Sequence, residues 1–319
     1  MFKTRLTELL GIKYPVVGGA MGRLTTGEFV AAISNAGCLG LIAAATMDTK
    51  EELREHVRIC RKLTDRPFGV STALIARDPA KLNGDIDVCI EEGVKVLETT
   101  AQSPAAYADK IKKSDMIWLH KCATVRHAQS AESLGIDAVT IVGFEAAGHT
   151  GLDDLPLSIV IPWAIDTLKI PVLASGGVAD GRALAALIAL GADGVQIGTR
   201  FILTEECPGH PKFKEWLLNS RYNDTCYVER SVRRAFRVRR NKAAEEVLEM
   251  EKKGATPEDM YPLMAGERNR RLIYEGDIEA GLLACGPVVG SINDILPVKE
   301  VVERVISQAE EIVNRLHSS

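Results

Sequence analysis

The feature that most limits how this chain can fold is an alternation. Eight short apolar runs lie before residue 200: Pro15–Val17, Leu39–Ala43, Phe68–Thr72, Val94–Leu97, Met116–Leu119, Ala138–Val142, Val172–Ala174 and Val195–Ile197. Each is followed by a stretch of helix-forming residues, such as Thr26–Asn35 and Lys50–Leu63. The spacing, roughly 20–35 residues, is that of one βα unit. Gly37, Gly93, Gly135 and Gly191 stand just before strands, where a glycine that ends a helix belongs. A doubly wound sheet would need a GxGxxG turn after the first strand, and Gly18-Gly19-Ala20-Met21-Gly22 is too short a match. Eight units therefore predict an α/β chain with a closed (β/α)8 barrel over residues 1–205.

Past residue 205 the pattern changes. Pro208-Gly209-His210-Pro211 interrupts the chain, and residues 212–275 read as mostly helical and charged. A Gly-rich apolar stretch follows, with Gly281, Gly286 and Gly290, and an amphipathic helix over Val298–Leu316 ends the chain. These predict a helical cap at 206–275 and a return segment at 276–319 that lines the space between cap and barrel. No internal repeat is visible. The formal net charge of −4 gives no bulk basicity to attract nucleic acid or an anionic membrane. The opening MFKTRLTELL lacks a signal-peptide core, and no apolar run approaches the ~18 residues that span a bilayer. Seven scattered cysteines without a CxxC pair suggest reduced core thiols and a cytoplasmic setting, with no metal site.

Several stretches carry candidate chemistry. The seventh run ends in Ser175-Gly176-Gly177 and the eighth in Gly198-Thr199-Arg200. Glycines at the ends of neighbouring parallel strands let backbone N–H groups approach a ligand, and such pairs form the phosphate cradle of many barrels. The alternative is two ordinary turns. Gly143-Phe144-Glu145-Ala146-Ala147-Gly148-His149-Thr150-Gly151 follows the sixth run, at the barrel end where catalytic loops gather. His149 there suits proton transfer, against the plainer role of one structural hydrogen bond. Lys121, in His120-Lys121-Cys122, offers a positive charge to an electron-rich ligand or is simply solvated. Arg230, Arg233, Arg234, Arg237, Arg239 and Arg240 read as a solvated helix face paired with Glu245, Glu246 and Glu249. Nucleic-acid binding or a dock for a phosphorylated ligand are the alternatives.

The segments HKCATVRHAQSAESLGIDAV, GFEAAGHTG, ASGGVADGRALAALIALGADGVQIGTRF and TEECPGHP resemble the nitronate monooxygenase family, formerly 2-nitropropane dioxygenases. The resemblance runs from Thr4-Arg5 to the last helix and is strongest from His120 to Pro211. It implies a TIM barrel with a smaller, mainly helical cap, non-covalent FMN, a small-molecule substrate and NADH or NADPH as a candidate electron donor. A homodimer is compatible with it. By the match, Gly177, Gly198 and Thr199 hold the flavin phosphate, Lys121 lies by the isoalloxazine ring and His149 is the catalytic residue on the reactive side. Gly19, Ala20, Met21, Ser71, Ala147, Gly148, Ser175, Gly176 and Gln196 complete the implied cofactor site. Oxidation of alkyl nitronates with O2 is the first activity implied. NAD(P)H:quinone reduction and enoyl-thioester (enoyl-acyl-carrier-protein) reduction are the alternatives. The chain departs from the pattern where Gly18 replaces the Gln of Gln-Gly-Gly-Met, where Gly22-Arg23 replaces a bulky apolar pair, and where Ser71 replaces Asn. Pro287 replaces Gln in the same way. These are expected to remove an amide, and to add a cation, at the flavin.

Overall fold

The computed structural model describes residues 2–74, 79–264 and 266–318. The eight predicted runs form a closed parallel barrel from β1 (Val16–Gly18), β2 (Leu39–Ala43), β3 (Phe68–Ala73), β4 (Val96–Thr100), β5 (Ile117–Cys122) and β6 (Ala138–Val142). After a two-residue strand outside the barrel, β7 (Gly148–His149), the circle continues with β8 (Val172–Ser175) and closes through β9 (Gly194–Ile197) onto β1. β2 and β6 keep their predicted bounds, whereas β4 starts two residues later and runs three further than expected. Gly37, Gly93, Gly135 and Gly191 all have positive φ, as helix-ending glycines do.

Strand alternation sorts the core into two sets. Val17, Leu39, Leu41, Val96, Leu119, Ala138 and Leu173 point inward and share one cluster with Leu6 and Leu10 of the first helix, Arg5–Leu10. That helix closes the bottom of the barrel. It starts with Thr4, whose hydroxyl accepts from the Thr7 N–H, and it is fastened by Arg5, which grips the Asp193 carboxylate with two N–H groups at 2.9 and 2.7 Å. A Cβ at position 194 would lie 2.5 Å from the Leu6 side chain, so only Gly194 leaves Leu6 room inside. Burying a leucine of this kind is worth about 1.5–3 kcal/mol. The outward set, including Val16, Ile42, Val70, Leu97, Trp118, Val139, Ile141 and Val195, packs against the surrounding helices.

The region after residue 205 holds helices Pro211–Leu218, Lys242–Lys252 and Pro257–Met264, with shorter turns at Glu267–Arg270 and Arg271–Glu275. It also holds an antiparallel hairpin that the sequence reading missed. β10 (Thr225–Val228) pairs with β11 (Phe236–Arg239), and β11 pairs in turn with β7 from the barrel's sixth loop. The arginine stretch is therefore not a helix face. Arg237 and Arg239 lie on β11, and Arg230, Arg233 and Arg234 lie in the turn before it. Of the expected acidic partners only Glu245 pairs with this stretch, through Arg240 at 2.5 Å, while Glu246 and Glu249 pair with Arg268 and Lys252. Arg230 binds Asp154, Arg239 binds Asp224, and Arg237 stacks on Tyr227 and Phe144. The arginines thus bolt the hairpin to the barrel loops. The last helix, Val298–His317, packs on the barrel helix Gly181–Ala189. Among the described residues, no helix is long and apolar enough to cross a membrane.

Candidate active site at the barrel mouth

The C-terminal ends of the barrel strands carry Ser71, Lys121, Ser175 and Gln196, and the loops that leave the strands carry Gly19, Gly176, Gly177, Gly198, Thr199 and His149. Above the apolar plug, the next inward positions are polar: Ser71 on β3, Glu98 on β4, Lys121 on β5, Thr140 on β6, Ser175 on β8 and Gln196 on β9. Five of them are joined. The Ser71 hydroxyl donates to Glu98 Oε2 at 2.7 Å, and Gln196 Nε2 donates to Glu98 Oε1 at 2.6 Å. Gln196 Oε1 accepts from Lys121 Nζ at 3.2 Å and from the Ser175 hydroxyl at 3.4 Å. Thr140 Oγ1, buried beside this network, has no hydrogen-bond partner among the described residues. Glu98 and Thr140 were not singled out from the sequence. The signal was present in Val96-Leu97-Glu98-Thr99-Thr100, because a lone carboxylate in an apolar strand has to meet partners when buried.

The two glycine turns flank this layer. Gly176 and Gly177 have φ of +135° and +67°, conformations that L side chains rarely adopt. A Cβ on Gly176 would meet the Ala146 backbone at 3.0 Å, so the turn also lets the sixth loop lie close. Gly198 opens the short helix Thr199–Ile202 with an ordinary φ of −118°. A Cβ there would meet nothing nearer than Met21 Sδ at 3.8 Å, so this backbone faces open space. The Thr199 hydroxyl accepts from the Gly286 N–H at 3.1 Å, which leaves its own proton free to donate. A Cβ at position 286 would also lie 3.1 Å from Glu145 O and 3.6 Å from Ala147 N, so the late glycine segment lies against both the sixth loop and the Gly198-Thr199 turn. Gly19 lies against the Gln196 side chain, and its N–H donates to Ile197 O.

His149 sits at the seam between mouth and cap. Its backbone pairs with Phe236 across β7 and β11, and its ring stacks on the Phe236 ring with centroids 4.6 Å apart. Nε2 is 3.5 Å from Glu229 Oε2, while the imidazole side stays 47% exposed. Glu229 itself is buried, with φ of +64°, and its N–H donates to Glu251. The β7–β11 pairing and the Glu229 contact could not be read from the sequence, because the hairpin was not foreseen.

Two of the departures change meaning in three dimensions. A side chain at position 18 would run into Ile33 at 2.9 Å, on the helix side of the strand. The missing amide there leaves no gap in the mouth, and an amide is present in it from Gln196. Arg23, with φ of +62°, takes Thr46 Oγ1 on its N–H and sets its guanidinium 3.7 Å from Asp48. Its carbonyl accepts from the Tyr274 hydroxyl, tying the rim to the cap. The added cation is thus partnered at the rim. Pro287 begins the turn Pro287–Ser291. The other members of the HKC motif are inert: the Cys122 thiol is pushed up to about 12 by burial, and His120 is pushed down to about 4 by the same cause.

The mouth thus holds a polar layer under two glycine turns with a histidine at its rim, and likeness to known proteins says what kind of chain carries it. The family model described as nitronate monooxygenase matches residues 3–308. The chain belongs to the nitronate monooxygenase family. A member-like relative, (3aS,4S,5R,7aS)-5-hydroxy-7a-methyl-1-oxo-octahydro-1H-indene-4-carboxyl-CoA dehydrogenase of Rhodococcus jostii (strain RHA1), is 31% identical, with 98% of each chain covered. A probable nitronate monooxygenase of Staphylococcus aureus (strain MSSA476) is 28% identical over the same share of both chains. The structure of FabK from Thermotoga maritima superposes with a TM-score of 0.93 at 34% identity, covering 100% of this chain and 99% of that one. Monooxygenase and dehydrogenase are both oxidoreductases, and this nitronate monooxygenase family member is an oxidoreductase.

Proposed function

We propose that this chain is an FMN-dependent oxidoreductase whose substrate is an acyl thioester, with hydride exchanged at the carbon β to the thioester carbonyl. The observation that carries the substrate class is the likeness, across 98% of both chains, to a protein named as a carboxyl-CoA dehydrogenase. The site supports the cofactor independently. One open backbone patch at Gly198, the strained Gly176-Gly177 turn and the free Thr199 proton suit a single terminal phosphate. The Lys121 ammonium, the Gln196 amide and the unpartnered Thr140 hydroxyl supply a polar floor. FMN supplies two-electron chemistry when bound, accepting a hydride from one substrate and giving it to another.

The chain's residues then have separate work. Gly176, Gly177, Gly198 and Thr199 would hold the phosphate, and Lys121 would offer its positive charge to the cofactor's electron-rich atoms. Ser71, Gln196 and Ser175 hold that floor in place. Saturating an enoyl thioester puts a hydride on the β carbon and a proton on the α carbon. His149, half exposed at the rim, holds or delivers that proton, and in the dehydrogenase direction it removes it. Phe236 and Glu229 fix the imidazole's plane and one of its nitrogens.

Nitronate oxidation, the first activity implied by the sequence, is the second reading. It is favoured by the family model and by the Staphylococcus aureus relative. A nitronate carries negative charge on oxygens conjugated to its reacting carbon, and an enoyl thioester acquires such charge on its carbonyl oxygen as hydride arrives, so a floor bearing a cation suits the binding of either. The test is anaerobic mixing of the yellow protein with NADH, NADPH or an alkyl nitronate, followed by an enoyl-CoA or a quinone. Bleaching by a nicotinamide and recolouring by the enoyl-CoA is the expected result. Bleaching by the nitronate alone would establish the second reading, and recolouring by the quinone alone would make the protein a quinone reductase.

A further inference from the structure

We propose that Glu98 is a positioning residue that aims the Lys121 ammonium into the mouth through the amide of Gln196. The inference deepens the cofactor reading above and rests on it. Glu98 is wholly buried on the inward face of β4, and no cation lies within 4.0 Å of it among the described residues. A carboxylate accepts hydrogen bonds and donates none. Both of its oxygens are taken, by the Ser71 hydroxyl and by Gln196 Nε2. This forces the orientation of the Gln196 side chain, which the two ends of an amide would otherwise leave open. With its NH2 group turned to Glu98, its oxygen must face Lys121 and Ser175, as it does at 3.2 and 3.4 Å. Lys121 Nζ carries three protons, and Gln196 takes one of them. Among the described residues the other two have no acceptor, and they are left for whatever enters the mouth.

Carboxylate, amide and ammonium thus form a line across the barrel, from β4 to β9 to β5. The negative end is wholly buried on top of the apolar plug and the positive end is half exposed. A buried charge is a poor way to gain stability, because desolvation opposes the attraction. The cluster below it shows that apolar side chains fill this barrel well. The costly group is placed where its one consequence is the direction of a cation, directly below the glycine turns. The relay also gives Ser71 a function as a donor to Glu98, where the family pattern has an asparagine.

A double-mutant cycle tests this. FMN is titrated into apoprotein of wild type, Glu98→Gln, Lys121→Met and the double variant, with flavin fluorescence giving Kd. Glu98→Gln replaces an acceptor with a group that also donates, so the Gln196 amide loses its enforced orientation. We expect each single variant to raise Kd about 10-fold, the double variant to be no weaker than Lys121→Met alone, and the visible band of bound flavin to shift in the same direction in all three. A merely structural Glu98 would lower Tm without moving the band. Effects that multiply to about 100-fold, or a Kd unchanged in either single variant, would overturn the proposal. If Glu98→Gln does not fold, Gln196→Met removes the same bridge and must show the same non-additivity with Lys121→Met. Wild type that ignores FMN and binds FAD would sink the choice of cofactor alone, and the cycle would then be read with FAD. Wild type that binds no flavin would overturn both.

Discussion

His120 gives the sharpest quantitative expectation. It faces outward from β5, wedged among barrel and helix, and its Nδ1 lies 2.8 Å from Thr99 Oγ1, which also accepts from the Trp118 indole at 2.9 Å. Burial disfavours the imidazolium and brings its pKa down from 6.5 to about 4, with His127 adding a minor push the same way. The sign follows from proton counting. Between pH ~6.5 and ~4 the unfolded chain binds a proton that the folded chain refuses, so stability is lost as pH falls across that window. At about 1.4 kcal/mol for each pH unit between the two values, the loss approaches roughly 3 kcal/mol. Above pH ~6.5 both states are neutral and the group contributes no slope. His120→Gln removes the titration while keeping a polar partner, able to donate or accept, for the Thr99 hydroxyl. Its stability is expected to fall by roughly 3 kcal/mol less than wild type between pH 7 and pH 4. Asp85, pushed up by burial, has the opposite sign and is gained as pH falls, but it is common to both proteins and cancels in the difference. Urea unfolding followed by circular dichroism at several pH values measures the two curves. Parallel curves would show that His120 is protonated in the fold or solvated by breathing of the barrel wall, and would refute the reasoning.

Other perturbations separate binding, catalysis and packing. Gly198→Ala should leave Tm within about 1 °C, since φ is ordinary and the new Cβ meets open space, yet raise the FMN Kd at least roughly 10-fold; equal losses in both would place the phosphate elsewhere. His149→Ala should keep the protein yellow and lower kcat/KM by about 10²–10⁴-fold on a substrate that needs a proton, with a smaller loss in the reduction by nicotinamide; stopped-flow measurement of both half-reactions decides it. Arg23→Ala should cost under ~1 kcal/mol, because its partner Asp48 is exposed, while weakening anionic substrates more than neutral ones; equal effects on KM would leave it a rim contact only.

The barrel was legible because its signal is repeated. Eight apolar runs at βα spacing admit few other closures, and strand bounds failed only at ends such as Val96–Thr100, where polar residues continue the strand into the mouth. The cap hairpin was not legible, although Thr225–Val228 and Phe236–Arg239 are short and β-branched or aromatic in part. Six arginines in eleven residues outweighed that pattern as a helix face. What the reading lacked was the third strand. β7 is only Gly148–His149, too short to announce itself, and it pairs with β11 because the sixth loop folds back over the mouth.

The same limit explains why Glu98 was passed over while Lys121, Ser71, Ser175 and Gln196 were named. Lys121 and Ser175 were reached from the ends of their own strands, and Ser71 and Gln196 through the family likeness, and both routes assign residues one at a time. Glu98 acquires its meaning only from closure, when β3, β4, β5, β8 and β9 bring residues 71, 98, 121, 175 and 196 to one height. Alternation along β4 does place Glu98 on the face of Val96, so its inward direction follows from the sequence once the barrel is granted. Its partners do not, because neighbours across a barrel interior depend on how the strands are staggered around the ring. A carboxylate on an inward position near a strand's C-terminal end is therefore a question put by the sequence. Here the structure answers it with an amide whose other end holds the mouth's lysine.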